Sequence, residues 1–201
     1  MRPQLALAAL LLVSLEAVAR ADDWQPEPGF KSLFNGRDLT GWCFRAKVGR
    51  EPSGVGEVTE KFDGKTESGD AGRYSAREGV LTVNFPEGQD RLVGQLYTVE
   101  EFPGDFTLKL EFRAGVNADS GIFIRKPQLQ CRDYPVAGPY KDLKKYRPQD
   151  WNQIEVVVKG GVARCTCNGE VLEADLKVPE TGPIGLEGDR GRMEYRHIQI
   201  K

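Results

Sequence analysis

A chain of 201 residues that is 39% hydrophobic, 9% aromatic and 29% charged holds enough apolar matter for a packed core, which excludes a disordered body. Its 28 basic and 30 acidic residues leave a formal charge of −2, so it has no cationic excess to neutralise phosphates, and nucleic acid is not an expected partner. Gly 23 and Pro 12 without periodicity predict many turns between short strands.

At the N-terminus, Met1 and Arg2 precede an apolar run from Leu5 to Leu15, closed by Glu16 and followed by small residues at Ala17, Ala19 and Ala21. This is the pattern of a secretory signal, and the run falls short of the roughly 18 apolar residues that a bilayer span needs. Cleavage after Ala21 fits best, and a cut after Ala19 also fits. Residues 1–21 are therefore expected to be a signal, and 22–201 a single exported domain, periplasmic or extracellular.

Short strands are predicted at 30–34 and 41–45. The stretch 49–76, rich in Gly, Glu, Lys, Asp and Ser without a period, reads as a long loop. Strands follow at 80–83 and 95–99. The segment 105–113 alternates fully, with Phe106, Leu108, Leu110 and Phe112 on one side and Thr107, Lys109, Glu111 and Arg113 on the other, as a half-buried antiparallel strand does. Two more are expected at 121–125 and 129–131. Ile154, Val156 and Val158 repeat the alternation over 152–159, and the pairs Gly160-Gly161 and Asn168-Gly169 then link 162–167 and 170–173 into a meander. The last strands are 184–187 and 193–200. In the latter, Met193 and Tyr195 have one parity and Ile198 and Ile200 the other, so a bulge near Arg196-His197 is expected. About a dozen antiparallel strands without a helical period point to an all-β, two-sheet jelly-roll sandwich.

The four cysteines are Cys43, Cys131, Cys165 and Cys167. Cys165 and Cys167 share one face of a strand and are poorly placed to bond each other. With His197 as the only histidine, a zinc site lacks its usual spacing. Buried thiols and one disulfide both remain open. No phosphate-binding loop, HExxH, nucleophile elbow or dinucleotide fingerprint is present, and His197, close to Ile198 and Ile200, reads as a structural or surface histidine.

Five ordered blocks carry a family resemblance: Gly29-Phe30 through Asn35-Gly36-Arg37-Asp38-Leu39-Thr40-Gly41-Trp42; Asp105-Phe106 through Glu111-Phe112; Asp119-Ser120-Gly121-Ile122-Phe123-Ile124-Arg125; Trp151-Asn152 with Asn168-Gly169; and Gly182-Pro183-Ile184-Gly185-Leu186-Glu187 through Tyr195-Arg196-His197-Ile198. The chain resembles the 3-keto-disaccharide hydrolase family, also described as 3-keto-glucoside 1,2-lyase/3-keto-2-hydroxy-glucal hydratase domains. The resemblance implies a concanavalin-like sandwich. It also implies cleavage or hydration of 3-keto-glycosides: the ketone acidifies the C2 proton, a base removes it, the C1 substituent is expelled, and water adds. Such a site needs a base, an acid for the leaving oxygen and a group that stabilises the enolate.

The family's Glu-x-Gln-x-x-Asp falls on Gln128, Gln130 and Asp133, with Gln128 in place of the acid. Its Leu-Gln-x-His-Gly falls on Leu186-Glu187-Gly188-Asp189-Arg190-Gly191, where the histidine is absent and Glu187 and Asp189 are gained. Asp133 and Glu187 are thus the expected catalytic residues, and Arg125, Gln128, Gln130, Tyr134, Tyr140 and Asp189 the expected substrate contacts. Asp133 is placed at the centre, with Gln130, Arg125 and Glu187 around it, on the condition that the strand ends or bends before it; otherwise it is a turn former ahead of Tyr134-Pro135. Trp42, Tyr146 and Trp151 are stacking candidates or core anchors, and basic residues from Arg132 to Arg147 candidates for a groove rim. The expected ligand is an oxidised (3-keto) sugar or another carbohydrate. No cofactor is identified, and a divalent metal and the oligomeric state stay open. The alternative is a non-catalytic carbohydrate-binding or cell-surface module.

Overall fold

A computed structural model describes residues 24–48, 55–69, 72–84, 95–133 and 138–201; the expected signal and Tyr134 lie outside them. The strands are β1 (Lys31–Ser32), β2 (Trp42–Lys47), β3 (Val55–Lys61), β4 (Tyr74–Arg77), β5 (Val80–Val83), β6 (Leu96–Thr98) and β7 (Phe106–Ala114), then β8 (Asp119–Ile124), β9 (Gln128–Arg132), β10 (Asn152–Lys159), β11 (Val162–Cys167), β12 (Glu170–Lys177), β13 (Ile184–Leu186) and β14 (Met193–Ile200). Among the described residues the only helical element is a 3-10 turn, Tyr140–Asp142.

The alternation over 105–113 becomes β7, where Phe106, Leu108, Leu110 and Phe112 are buried and the residues between them half-exposed. Its neighbour β10 places Ile154, Val156 and Val158 opposite Leu110, Leu108 and Phe106, so both strands give their apolar side to one core. The meander β10-β11-β12 turns on Gly160-Gly161 and Asn168-Gly169, all four residues at positive φ, as tight hairpins that follow the strand twist require. The first sheet runs β12-β11-β10-β7-β14-β5-β4, with β1 added on β14; the second runs β3-β2-β6-β13-β8-β9. All pairings are antiparallel, and the two sheets enclose the core as a jelly-roll sandwich of the concanavalin type.

The parity conflict in β14 is resolved as expected. Arg196 pairs with Glu111 and Gln199 with Lys109, so three steps on β14 oppose two on β7; His197, at φ 54°, takes up the extra residue. Met193, Tyr195, Ile198 and Ile200 are then all buried. His197 is structural: it stacks on Trp24 at 4.8 Å, with Nδ1 3.3 Å from Glu111.

One expectation is corrected and one open alternative is decided. The stretch 49–76 is not a single loop, because it contains β3 and the start of β4. β3 is an edge strand paired to β2 through irregular register, and none of its side chains is fully buried, so it leaves no period-2 signal. The cysteines are four buried free thiols, with no disulfide among them. Cys165 and Cys167 share a face as expected and join the main core, while Cys43 packs with Tyr97 and Phe123 in a smaller cluster on the other side of the second sheet.

Candidate functional site

The outward face of the second sheet gathers the chemistry, and strand parity decides which residues reach it. On β9, Leu129 and Cys131 are buried in the main core while Gln128, Gln130 and Arg132 stand half-exposed on the other side. They lie opposite Phe123, Gly121 and Asp119 of β8. On β13, Ile184 and Leu186 point inward, leaving Gly185 outward, and Glu187 follows it on the same side. Gly185 pairs with Tyr97 on one flank and Phe123 on the other. A Cβ there would stand 2.5 Å from the Tyr97 ring and 3.1 Å from that of Phe123, so only glycine lets both rings lie over the strand. At Gly121 a Cβ would strike the Gln128 side chain.

Glu187 is held by the backbone on both sides. Its N–H donates to Gly121 O at 2.9 Å, and the Ser120 hydroxyl donates to its carbonyl at 2.5 Å. Beside it, Tyr74 donates to Leu186 O at 3.0 Å, buried Arg73 to Gly188 O at 2.8 Å, and Gly188 N to Gln95 Oε1 at 2.8 Å. The carboxylate takes a hydrogen bond from Gln128 Nε2, and Gln130 Nε2 donates to Gln128 Oε1 at 2.7 Å. Burial pushes the Glu187 carboxyl up to about 7, and the charge of Asp189 pushes the same way; the Gln128 hydrogen bond, which favours the ionised form, opposes them. A carboxylate poised near neutrality, directed by an amide and open to one side, can take or give a proton.

At the β8–β9 side the face carries a charged, mutually paired group. Asp119 accepts from Arg132 Nε at 2.5 Å and from Arg190 Nη2 at 3.3 Å. Arg190 thus serves an ion pair. Among the described residues no three His, Cys, Asp or Glu side chains are grouped to hold a metal ion, and Asp119 spends both carboxylate oxygens on arginines. The donor set does not fit a divalent cation.

The expected centre at Asp133 is not where the structure puts it. β9 ends at Arg132, yet Asp133 N still donates to Ala118 O at 3.0 Å, so the alternation runs one residue further and gives Asp133 the inward parity of Leu129 and Cys131. Asp133 is 0% exposed; it accepts from Asn117 N at 2.8 Å and from Gln149 Nε2, fastening two loops. Arg125 is 2% exposed and donates to the carbonyls of Phe102, Pro179 and Gly104. It caps the closed end of the β8–β9 hairpin while Asp133 sits at the open end, roughly 20 Å away along the six residues of β8. Tyr140 is a core residue against Phe112 and Tyr146, and its hydroxyl donates to Gln130 O at 2.6 Å, steadying β9 from beneath.

Glu187, Gln128, Gln130 and Asp189 therefore come together, whereas Asp133, Arg125 and Tyr140 are structural. Trp42 and Tyr146 are buried core residues. Trp151 lies by the first sheet, with the Arg113 and Arg196 guanidinium groups 4.7 and 4.1 Å from its ring. One residue was missed, Tyr97; Arg132, expected at a groove rim, stands on this face paired to Asp119. The signal for Tyr97 was its position within the short strand 95–99, where its parity is opposite to that of the flanking Leu96 and Thr98.

A model of the 3-keto-alpha-glucoside-1,2-lyase-like domain matches residues 29–201. No curated protein matches the chain significantly. Among solved structures, a proposed glycosyl hydrolase from Parabacteroides distasonis is 19% identical, with 86% of this chain and 93% of that one covered and a TM-score of 0.60, a likeness of fold. Looser matches include an alginate lyase from Corynebacterium sp., 11% identical with 81% and 94% covered and a TM-score of 0.43, and the carbohydrate-binding module CBM66 from Bacillus subtilis, 8% identical with 81% and 96% covered and a TM-score of 0.43.

Proposed function

The chain belongs to the 3-keto-alpha-glucoside-1,2-lyase-like family, and on that premise we propose that it cleaves 3-keto-glycosides on the outward face of its second sheet, with Glu187 as the proton-transferring group. The observation that carries this reading is the half-buried Glu187 carboxyl, raised to about 7 and directed by Gln128, whose own oxygen accepts from Gln130. In ionised form Glu187 removes the C2 proton; the C–H electron pair moves toward the C3 ketone and then expels the C1 oxygen. The proton now on Glu187 passes to that leaving oxygen, since C1 and C2 are neighbours. Water takes the place of the departed alcohol, gives a proton to Glu187 as it adds at C1, and Glu187 returns a proton to C2. The net change is hydrolysis, and Glu187 ends as it began. Gln128 and Gln130 orient the carboxylate and present amide groups to sugar hydroxyls.

A second reading, a sugar-binding module without turnover, is favoured by Gln128, which stands where the family pattern has Glu, and by the absence of that pattern's histidine from the stretch Leu186 to Gly191. Incubation with a 3-keto-glucoside and with its unoxidised parent decides between them. Release of the aglycone from the keto form alone is expected; binding of either sugar without release makes the protein a module, and release from the parent makes it an ordinary hydrolase. Export after Ala21 is part of the proposal, and N-terminal sequencing of the cellular protein is expected to start at Asp22.

A further inference from the structure

The Tyr97 side chain is fixed by its neighbours but not by its hydroxyl. Its ring lies across the bare backbone of Gly185 and against Phe123, with centroids 5.7 Å apart. Glu187 is two residues along β13 on the same face, the diagonal position that a long side chain reaches across an antiparallel pair. Tyr97 is only 4% exposed, yet its hydroxyl makes no hydrogen bond among the described residues. A mostly buried tyrosine normally gives its O–H a protein partner. The Tyr97 hydroxyl is not among the described polar atoms that are buried without a partner; it reaches solvent, free to donate, while its ring is held.

We propose that the Tyr97 hydroxyl donates a hydrogen bond to the C3 oxygen of the sugar and stabilises the negative charge that collects there when C2 loses its proton. This rests on the reading of Glu187 as the base. The required geometry is a base and a donor side by side on one face, since the C2 hydrogen and the C3 oxygen sit on adjacent carbons. As the C2–H pair enters the C2–C3 bond, the carbonyl pair moves onto oxygen, and the Tyr97 proton stays on Tyr97. Donation without transfer suits this phenol: burial, and then the Glu187 charge, raise its pKa, so it remains protonated wherever Glu187 works.

The test isolates enolisation from cleavage. A 3-keto sugar lacking any C1 substituent has no leaving group, so loss of the C2 proton is read as deuterium uptake from heavy water by NMR. The wild type is expected to catalyse uptake. Tyr97→Phe, which keeps the ring and removes only an unpartnered hydroxyl, should melt as the wild type does and slow uptake about a hundredfold, the usual loss for one donor to a developing oxyanion. Glu187→Gln should abolish it. If Tyr97→Phe exchanges within about threefold of wild type while Glu187→Gln does not, the role of Tyr97 is overturned and that of Glu187 stands. If the wild type exchanges nothing, both fall.

Discussion

Glu187 is under two opposing influences, and their balance has a sign that can be measured. In the unfolded chain its carboxyl titrates near the ordinary 4.5, and in the folded one near 7. The folded state therefore holds a proton that the unfolded state has released between those values. The stabilising effect of that proton is complete below pH 4.5 and is lost as pH rises through 7. Glu187→Gln has no charge to bury, so it should be more stable than the wild type at pH 8 and not at pH 4.5, by on the order of 1–3 kcal/mol; urea denaturation at the two values is the check. The acid limb of kcat/KM should fall near pH 7 for the same reason. This residue was legible because the motif position and its acid coincide. Tyr97 was not, because nothing in a linear sequence marks a tyrosine whose partner strand offers a glycine in place of a side chain.

The β8–β9 hairpin shows how one element can mislead and then explain. Gln128, Gln130 and Asp133 read as one constellation along the chain, yet strand alternation sends the first two outward and the third inward. Asp133→Ala should lower stability by about 1–3 kcal/mol, since it strands the Asn117 amide and the Gln149 side chain. The folded fraction should keep its rate. Equal stability with lost turnover would return Asp133 to the site. β7 was read correctly because its alternation is unbroken, and Leu110→Ala should cost on the order of 2–5 kcal/mol in a chemical melt. β3 escaped notice because an irregular edge strand has no buried side to betray it. The β14 bulge was legible, by contrast, because two apolar parities in one strand have one simple resolution.

At the scale of the molecule, the sandwich divides its labour between faces. The outward side of the first sheet is laced by ion pairs such as Arg113–Glu194 and Arg196–Glu111, while that of the second carries the half-buried carboxylate. All four thiols are buried, and burial raises the pKa of each, which leaves them slow as nucleophiles. A thiol reagent should label none of them in the native protein and four after unfolding, and reductant should leave the melting temperature unchanged; a shift on reduction would reveal a disulfide. The two-sheet architecture was readable from alternation and turns. The site was readable only in part, because side chains far apart in the chain meet through sheet register, and register is settled by pairings that a sequence does not spell out. The central claim is that Glu187 performs the proton transfers, and the rate of aglycone release from a 3-keto-glucoside by Glu187→Gln, set against the wild type, tests it most directly. A loss of about a hundredfold or more, with the sugar still bound, is predicted; a rate close to the wild type's would contradict it.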